Sequence, residues 1–509
     1  MPDRPNVLFL CSDQHGYRYT GYAGHPTVRT PNLDRLASEG VVFENAYCAS
    51  PVCTPSRASM LTGVYPSDVG SYCNSTVWDG SHPTWGSLIR DAGYRTWATG
   101  KFDLDPAHDV GFDGTTHSHG HAGSPDITSL FRRPLCYRLA ERPGVDGRSR
   151  DEDHRDGNLA DEAQTFLQAE ATGSEDPWAA WVGFSQPHPP FTARTTEYES
   201  YLAENIQVPD VDPGEREDQH LIFERLRAFK RLGTPVPTDR KRRARAGYYG
   251  MITKLDEYIG HLVDQLRALG EWENTVVIYT SDHGEMLGEH GLWYKNTLYE
   301  DAAHVPLVVA GPGIPAGERR TDPVGHVDLI RTILEWADAD LPALNRGRSL
   351  TSMIADDTGD APPYVYAESH SEGNCSGSFM IRRGDWKYIH VTWYEDLLFN
   401  LAEDPEETEN RINDPEVSHV REELRELLFD TVDPTQVTVD AFTAQEETLA
   451  ELGDKLGAQG LFEELRGRLG DGQAGALVNR EFPEWTGQPT SEDYLDSPNN
   501  SGKRRSGEG

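Results

Sequence analysis

Short apolar runs alternate with amphipathic helical patterns over the first two-thirds of this chain, and that alternation restricts its fold more than any other feature. Val7-Leu8-Phe9-Leu10, Trp178 to Phe184, Thr275 to Thr280 and Val305 to Ala310 read as strands, and Arg95 to Thr99 leads into a loop at Gly100. Among them lie helical segments. Thr30 to Ala37 has Pro31 in its first turn and apolar residues at Leu33, Leu36 and Ala37. Trp85 to Ala92 is closed by Gly93, and Ala246 to Leu269 carries Met251, Leu255, Ile259 and Leu262 at helical spacing before Gly270. Apolar runs without a polar face belong to strands covered on both sides. The pattern predicts an α/β fold, a large and mostly parallel central sheet with helices on both faces. After Asp360 the texture changes: Tyr364-Val365-Tyr366-Ala367, Phe379 to Arg382 and Trp386 to Ile389 read as short antiparallel strands, followed by a helix from Ser418 to Phe429. The boundaries are an α/β domain over 1–360, a small α+β unit over 361–430 and an extension over 431–509. Within that extension 431–490 is weakly helical and suited to packing on a neighbouring subunit of a homo-oligomer, and the end from Asn499 reads as disordered.

The chain has 509 residues, enough for a sizeable core, and carries 47 basic against 84 acidic residues, a formal charge of −37. Such acidity excludes nucleic acid and anionic membranes as general partners, because both are repelled. It does not exclude an anionic substrate, since salt screens a distant field and a local cationic pocket outweighs it. Only Lys101, Lys230, Lys241, Lys254, Lys295, Lys387, Lys455 and Lys503 are lysines, so a lysine inside a motif is informative. An acid-rich, lysine-poor balance is a habit of proteins from salt-loving organisms. No apolar run reaches the ~18 residues of a membrane span. No separate signal segment precedes the first strand, so the expected location is cytoplasmic. The six cysteines form no C-x-x-C pair and are expected to be mostly reduced thiols. Two polar stretches interrupt the alternation. Asp105 to Arg155 reads as a surface excursion suited to a lid or specificity loop. Val208 to Ala246 contains Arg240-Lys241-Arg242-Arg243, which reads as a solvated helix face.

Cys53-Thr54-Pro55-Ser56-Arg57, followed by Leu61-Thr62-Gly63, is the strongest local signal. A cysteine in a Pro- and Ser-rich loop entering a helix sits where the helix N-terminus lowers a thiol pKa and favours anions. Arg57, one turn on, offers a fixed cation to a tetrahedral oxyanion. A buried structural cysteine is the competing reading. Asp13-Gln14 and Asp282-His283 each follow a strand, at the carboxyl ends where open α/β sheets place ligands. Either pair alone reads as a turn cap. Together they are four candidate metal ligands on two strand ends that a parallel sheet can bring side by side.

The C-x-P-S-R…L-T-G run resembles the signature of the sulfatase family, within the alkaline-phosphatase-like superfamily. Asn6 to Gln14 and Tyr279 to Glu285 resemble the family's two metal-binding strand ends. Asp-Gln combined with Asp-His is the pairing of the branch that contains choline sulfatases and phosphonate monoester hydrolases. The resemblance implies that Cys53 is converted to Cα-formylglycine by a formylglycine-generating enzyme. It also implies that Asp13, Gln14, Asp282 and His283 hold one divalent ion, with Ca²⁺ first and Mn²⁺ or Mg²⁺ open. Gly100-Lys101-Phe102-Asp103 aligns with the family's G-K-x-H, so Lys101 is expected on a sulfate oxygen. Asp103 departs from the family His. It is placed among the substrate-binding residues, either orienting Lys101 or meeting a hydroxyl or cationic part of the substrate, with His117, His119 and His121 nearby as stand-in imidazoles. Ser185 to Phe191 resembles the P-H-x-P segment and supplies His188. Gly291 to Thr297 resembles G-x-x-x-K and supplies Lys295. Asn74 is a candidate contact to a nonester oxygen, while His290, Trp293 and His304 read as pocket lining or as core. Met380 to Ile389 and Leu398 to Glu407 resemble the family's C-terminal subdomain, so the likeness spans roughly residues 5–430.

The expected activity is hydrolysis of a small sulfate monoester by a formylglycine hydrate and one metal ion. Arg57 is expected to stabilise the hydrate. Lys101, His188 and Lys295 neutralise the transferred group, and His188 or Lys295 protonates the leaving alcohol. Two alternatives stand beside it: a phosphodiesterase or phosphonate monoester hydrolase using the same site, and a non-catalytic anion-binding protein with unmodified Cys53.

Overall fold

The computed structural model describes residues 4–478 apart from 106, 114–116, 119–125, 133–135, 152–154, 171–175, 210–219, 356–363 and 372. Its centre is an eight-stranded sheet. In chain order the strands are β1 (Asn6–Ser12), β2 (Gly40–Phe43), β3 (Arg95–Lys101), β4 (His117–Ser118), β5 (Trp178–Gly183), β6 (Thr275–Ser281), β7 (Leu307–Ala310) and β8 (Glu318–Arg320). They lie in the spatial order β8-β2-β7-β6-β1-β5-β3-β4. All run in one direction except β7, which is antiparallel to both of its neighbours.

The apolar run of β1 serves two cores at once. Val7, Phe9 and Cys11 face one, Leu8 and Leu10 the other. On the first face Phe9 stacks on Trp181 at 4.7 Å between ring centroids, under helices that contribute Met60, Ile89 and Ile330. On the second face the long helix Thr238–Ala268 contributes Leu255, Ile259, Leu262 and Leu266. This helix begins eight residues before the expected Ala246. The basic run forms its first turns and is not wholly solvated: Lys241 is buried and its Nζ donates to Pro209 O at 3.1 Å. The expected loop at Gly100 is also corrected. β3 continues through Gly100 at φ +90°, where a Cβ would lie 2.0 Å from Gly183 O, so only glycine lets β3 and β5 close up there.

The C-terminal strands β9 (Val365–Ser369), β10 (Ser378–Arg383), β11 (Trp386–Val391) and β12 (Leu397–Asn400) form an antiparallel sheet in that order. Alternation divides its faces. Ala367, Met380, Ile389 and Phe399 join the main core, while Tyr366, Ile381, Tyr388 and Leu398 pack under Leu424 and Leu428 of the helix Ser418–Thr431. A buried ion cluster pins this sheet to the larger one. Lys387, with no exposed side chain, places Nζ 2.8 Å from both Glu300 Oε1 and Glu407 Oε1.

The extension folds back on its own chain. Leu449, Leu461, Leu465, Leu469 and Ala474 pack against Ile127, Leu130, Phe131, Cys136 and Phe229. This covering uses apolar residues of the 431–490 stretch that the sequence offered to a neighbouring subunit. It also shows that residues 126–132 of the presumed surface excursion are buried. The segment from Asn499, expected to be disordered, lies outside the described residues. All six cysteines are buried. Among the described residues no helix is long and apolar enough to cross a membrane.

Removing one partner from a buried ion cluster leaves the other charges uncompensated, at about 3–5 kcal/mol. Lys387→Met is therefore expected to destabilise the protein by that order, read from the urea unfolding midpoint. Wild-type stability in this variant would mean that the cluster does not join the two sheets.

Candidate active site

In the parallel pairing of β1 with β6, Ser12 lies opposite Ser281. The next residue of each strand, Asp13 and Asp282, therefore leaves the sheet beside the other, and both carboxylates are buried. Asp282 N donates to Ser12 O at 3.2 Å, and Gln14 N donates to Asp282 Oδ1 at 3.0 Å. Gln14 holds φ +74°, an unusual conformation for a non-glycine residue that persists when its surroundings over-determine it. Here its Oε1 accepts from Lys295 Nζ at 2.8 Å and its Nε2 donates to buried Glu285. Cys53 opens the wholly buried helix Cys53–Thr62. Its Sγ is 3.3 Å from His283 Nε2 and 3.9 Å from Asp13 Oδ1. Asp13, Cys53, Asp282 and His283 each point a ligand atom to one spot, all within 4.8 Å of one another.

Cations close around this spot. Lys295 Nζ lies 2.9 Å from Cys53 Sγ. Lys101 Nζ pairs with Asp13 and sits 3.0 Å from Asp103 Oδ2. Arg57, on the same helix face as Cys53 and one turn on, donates from Nε to Asp282 Oδ2 at 2.9 Å and from Nη1 to Lys101 O at 2.7 Å. Its buried Nη2 has no hydrogen-bond partner among the described residues. These charges set the protonation states. Burial alone would push the Cys53 thiol up, but Lys101, Lys295, His283 and His188 hold it well below the usual thiol range. Burial also opposes the Asp13 charge, and Lys101 overrides it, keeping that carboxyl below its ordinary range. Asp282 is pushed up by burial and then by the neighbouring Asp13. Two carboxylates, a sulfur and an imidazole converging where like charges repel are a donor set suited to a divalent cation.

The loop after β5 supplies His188. The Asp156 carboxylate accepts from Ser185 N at 3.0 Å and Gln186 N at 2.8 Å, which fixes the loop backbone. His188 Nδ1 donates to Pro189 O at 2.7 Å, so Nε2 is the ring atom left to act. His188, Lys101 and Asp13 share one end of a cleft of about 780 Å³.

The other candidates separate. Asn74 is buried and its Oδ1 accepts from Thr54 N at 3.2 Å, so it caps the first turn of the Cys53 helix. Asp103 has no exposed surface and does not line the cleft. This position beside Lys101 fits the first of its two expected roles, orienting that lysine. Its carboxylate is 3.0 Å from Lys101 Nζ and 3.9 Å from Arg57 Nε. His117 belongs to β4, and His119 and His121 lie outside the described residues. Trp293 is core, His290 packs on the Tyr299 ring, and His304 donates to Glu44 O and pairs with Glu300.

Two residues without a role in the sequence reading hold the site together. Glu285 accepts from Leu287 N at 2.8 Å and Tyr294 N at 2.6 Å as well as from Gln14, tying the Lys295 loop to a metal-ligand candidate. Buried Lys230 donates from Nζ to Trp293 O at 2.9 Å and to Lys295 O at 2.8 Å. The scarcity of lysine was the one sequence signal that pointed to Lys230.

Comparison with known proteins agrees with this geometry. The sulfatase family model matches residues 5–339, and the model described as N-sulphoglucosamine sulphohydrolase, C-terminal, matches 288–433. The chain is 30% identical to arylsulfatase K of Canis lupus familiaris over 84% of its length and 83% of the relative's. It is 30% identical to choline-sulfatase of Rhizobium meliloti (strain 1021) over 81% and 83%. Its fold matches the crystal structure of phosphonate monoester hydrolase of Agrobacterium radiobacter with a TM-score of 0.69 at 24% identity, covering 84% of this chain and 95% of that one. A protein solved with its substrate D-glucosamine-2-N,6-O-disulfate matches with a TM-score of 0.68 at 23% identity, over 84% and 97%. The fold is thus alkaline-phosphatase-like. With two-thirds of its length matched by the family model, and with its strand-end acids, Cys53 and flanking cations gathered at one point, the chain belongs to the sulfatase family of sulfuric ester hydrolases.

Proposed function

We propose that this enzyme hydrolyses a sulfate monoester using a formylglycine formed from Cys53 and one divalent ion held by Asp13, Gln14, Asp282 and His283. The observation that carries the reading is the convergence of Cys53 Sγ with the acidic and imidazole donors, with Lys295 Nζ 2.9 Å from the sulfur. A formylglycine at position 53 would supply, as its hydrate, a nucleophilic hydroxyl and a second hydroxyl through which the sulfate could be released. A divalent ion, Ca²⁺ first and Mn²⁺ or Mg²⁺ next, held by Asp13, Gln14, Asp282 and His283, would supply Lewis acidity there.

The chain's own residues do the rest. Arg57 keeps Asp282 oriented, and its free Nη2 is a buried donor one turn from position 53. Lys101 and Lys295 present ammonium groups where negative charge grows on the transferred sulfate. Asp103 balances Lys101 from behind, so that the ammonium is fixed without neutralising the cleft face. His188 Nε2 and Lys295 Nζ are the two groups able to hand a proton to the leaving alkoxide. The relatives' names, arylsulfatase K and choline-sulfatase, favour a sulfate ester.

Three outcomes test the proposal. The full-length protein produced with a formylglycine-generating enzyme is expected to turn over an aryl sulfate with a higher kcat/KM than the matching phosphate diester. The reverse order would make it a phosphodiesterase or phosphonate monoester hydrolase, and no turnover of either would favour an anion binder. Lys101→Ala is expected to lower kcat by about 10²–10³, and Asp103→Asn less but in the same direction. An Asp103→Asn variant with unchanged kcat would remove its positioning role. Chelation with EDTA is expected to abolish turnover and Ca²⁺ to restore it. Restoration by Mn²⁺ alone would reassign the ion, and full activity in EDTA would refute the metal site.

A further inference from the structure

The cleft that opens from His188 is far more basic than the chain that forms it. Its lining includes Lys101, Arg148, Arg150, Arg155, Arg194 and Lys254, and Asp13 at the reaction end is its one carboxylate among the described residues. The whole chain has 84 acidic and 47 basic residues, so this reversal runs against composition. The volume of about 780 Å³ falls in the range that encloses a ligand of drug size, well beyond a lone tetrahedral anion.

The outer cations come from elements that take no part at position 53. Arg148 and Arg150 belong to the segment around the short strand Gly147–Ser149, which pairs in parallel with Phe191–Ala193 just after the His188 loop. Arg148 Nε donates to Thr192 Oγ1 at 3.1 Å, which sets its guanidinium without neutralising it. Arg155 opens the helix Arg155–Glu170. Among the described residues neither Arg148 nor Arg155 has a carboxylate partner, whereas Arg194 and Lys254 both reach Glu257, at 3.9 Å and 2.7 Å. Pro189, Pro190, Met251 and Tyr258 give the cleft an apolar wall between these groups.

Arg148 and Arg155, without carboxylate partners among the described residues, keep their positive charge toward the cleft, and an anionic ligand there is favoured by it. Planar guanidinium groups also match carboxylate and sulfate oxygens in paired hydrogen bonds. Resting on the sulfate-ester reading above, we infer that Arg148 and Arg155 form a specificity subsite for a second anionic group on the leaving-group part of the substrate. The ligand chemistry is a sulfate ester that also bears a carboxylate or another sulfate. Neutral and cationic leaving groups are disfavoured by the same field.

The test compares kcat/KM for phenyl sulfate, 3-carboxyphenyl sulfate and benzene-1,3-diyl disulfate in the wild-type holoenzyme and in Arg148→Gln/Arg155→Gln. The wild type is expected to prefer at least one doubly anionic ester over phenyl sulfate by tenfold or more, mostly through KM, with the preference shrinking as salt rises. In the double variant the charged-to-neutral ratio is expected to fall about tenfold, and Arg148→Lys/Arg155→Lys is expected to recover part of it. Preference for the carboxylate or for the second sulfate alone identifies which anion the subsite reads. Equal kcat/KM for all three esters in the wild type, or a ratio unchanged in the double variant, would overturn the subsite while leaving sulfatase activity intact. Turnover of none of the three would instead sink the sulfate-ester reading, and the subsite with it.

Discussion

The register of two neighbouring strands governs this molecule. Because Ser12 lies opposite Ser281, the chain must bury two carboxylates, Asp13 and Asp282, at adjacent strand ends in the middle of the sheet. Desolvated like charges are costly unless opposite charges and hydrogen bonds meet them. Arg57 answers Asp282 and Lys101 answers Asp13, while Lys295 closes over Gln14 and Cys53. Each of those cations is itself held. Asp103 backs Lys101, Glu285 and Lys230 anchor the loop that carries Lys295, and the Cys53 helix fixes Arg57 relative to the sulfur. The site is a charge-balanced unit in which each buried carboxylate has a cation against it.

The formal charge of −37 acquires a local meaning from this arrangement. The chain has few lysines, yet Lys101, Lys230 and Lys295 all serve one site, and arginines extend the positive field outward along the cleft. An acidic exterior repels anionic polymers and surfaces. A cationic cleft with low-dielectric walls concentrates small anions. Both properties suit an enzyme that selects compact, highly charged esters.

Much of this was legible in the sequence, for identifiable reasons. β1 could be read because a strand buried on both faces has no polar positions, and the helix around Leu255 and Ile259 because its apolar spacing is regular. The first turns of that helix could not, since Arg240 to Arg243 carry no apolar face even though Lys241 is buried. Gly100 was misread as a loop because glycine marks turns more often than a close strand approach. Residues 126–132 looked like surface because their cover, Leu461 to Leu469, lies more than three hundred positions away. At the site, Cys53, Arg57, Lys101, His188, Lys295 and the four strand-end residues sit in local motifs and were found there. Residue type alone could not reveal that the Asp103 carboxylate is buried beside both Lys101 and Arg57. Glu285 is placed at the site only through loop closure, and Arg148 at the cleft only through the pairing of Gly147–Ser149 with Phe191–Ala193.

Everything proposed for catalysis depends on the chemical identity of residue 53. Mass spectrometry of the peptide spanning Cys53 to Arg57, from protein purified out of its native host, reads that identity directly. A formylglycine-dependent hydrolase gives the mass of an aldehyde in place of the thiol, together with reactivity toward a hydrazide probe. An intact cysteine in catalytically active protein would contradict the mechanism.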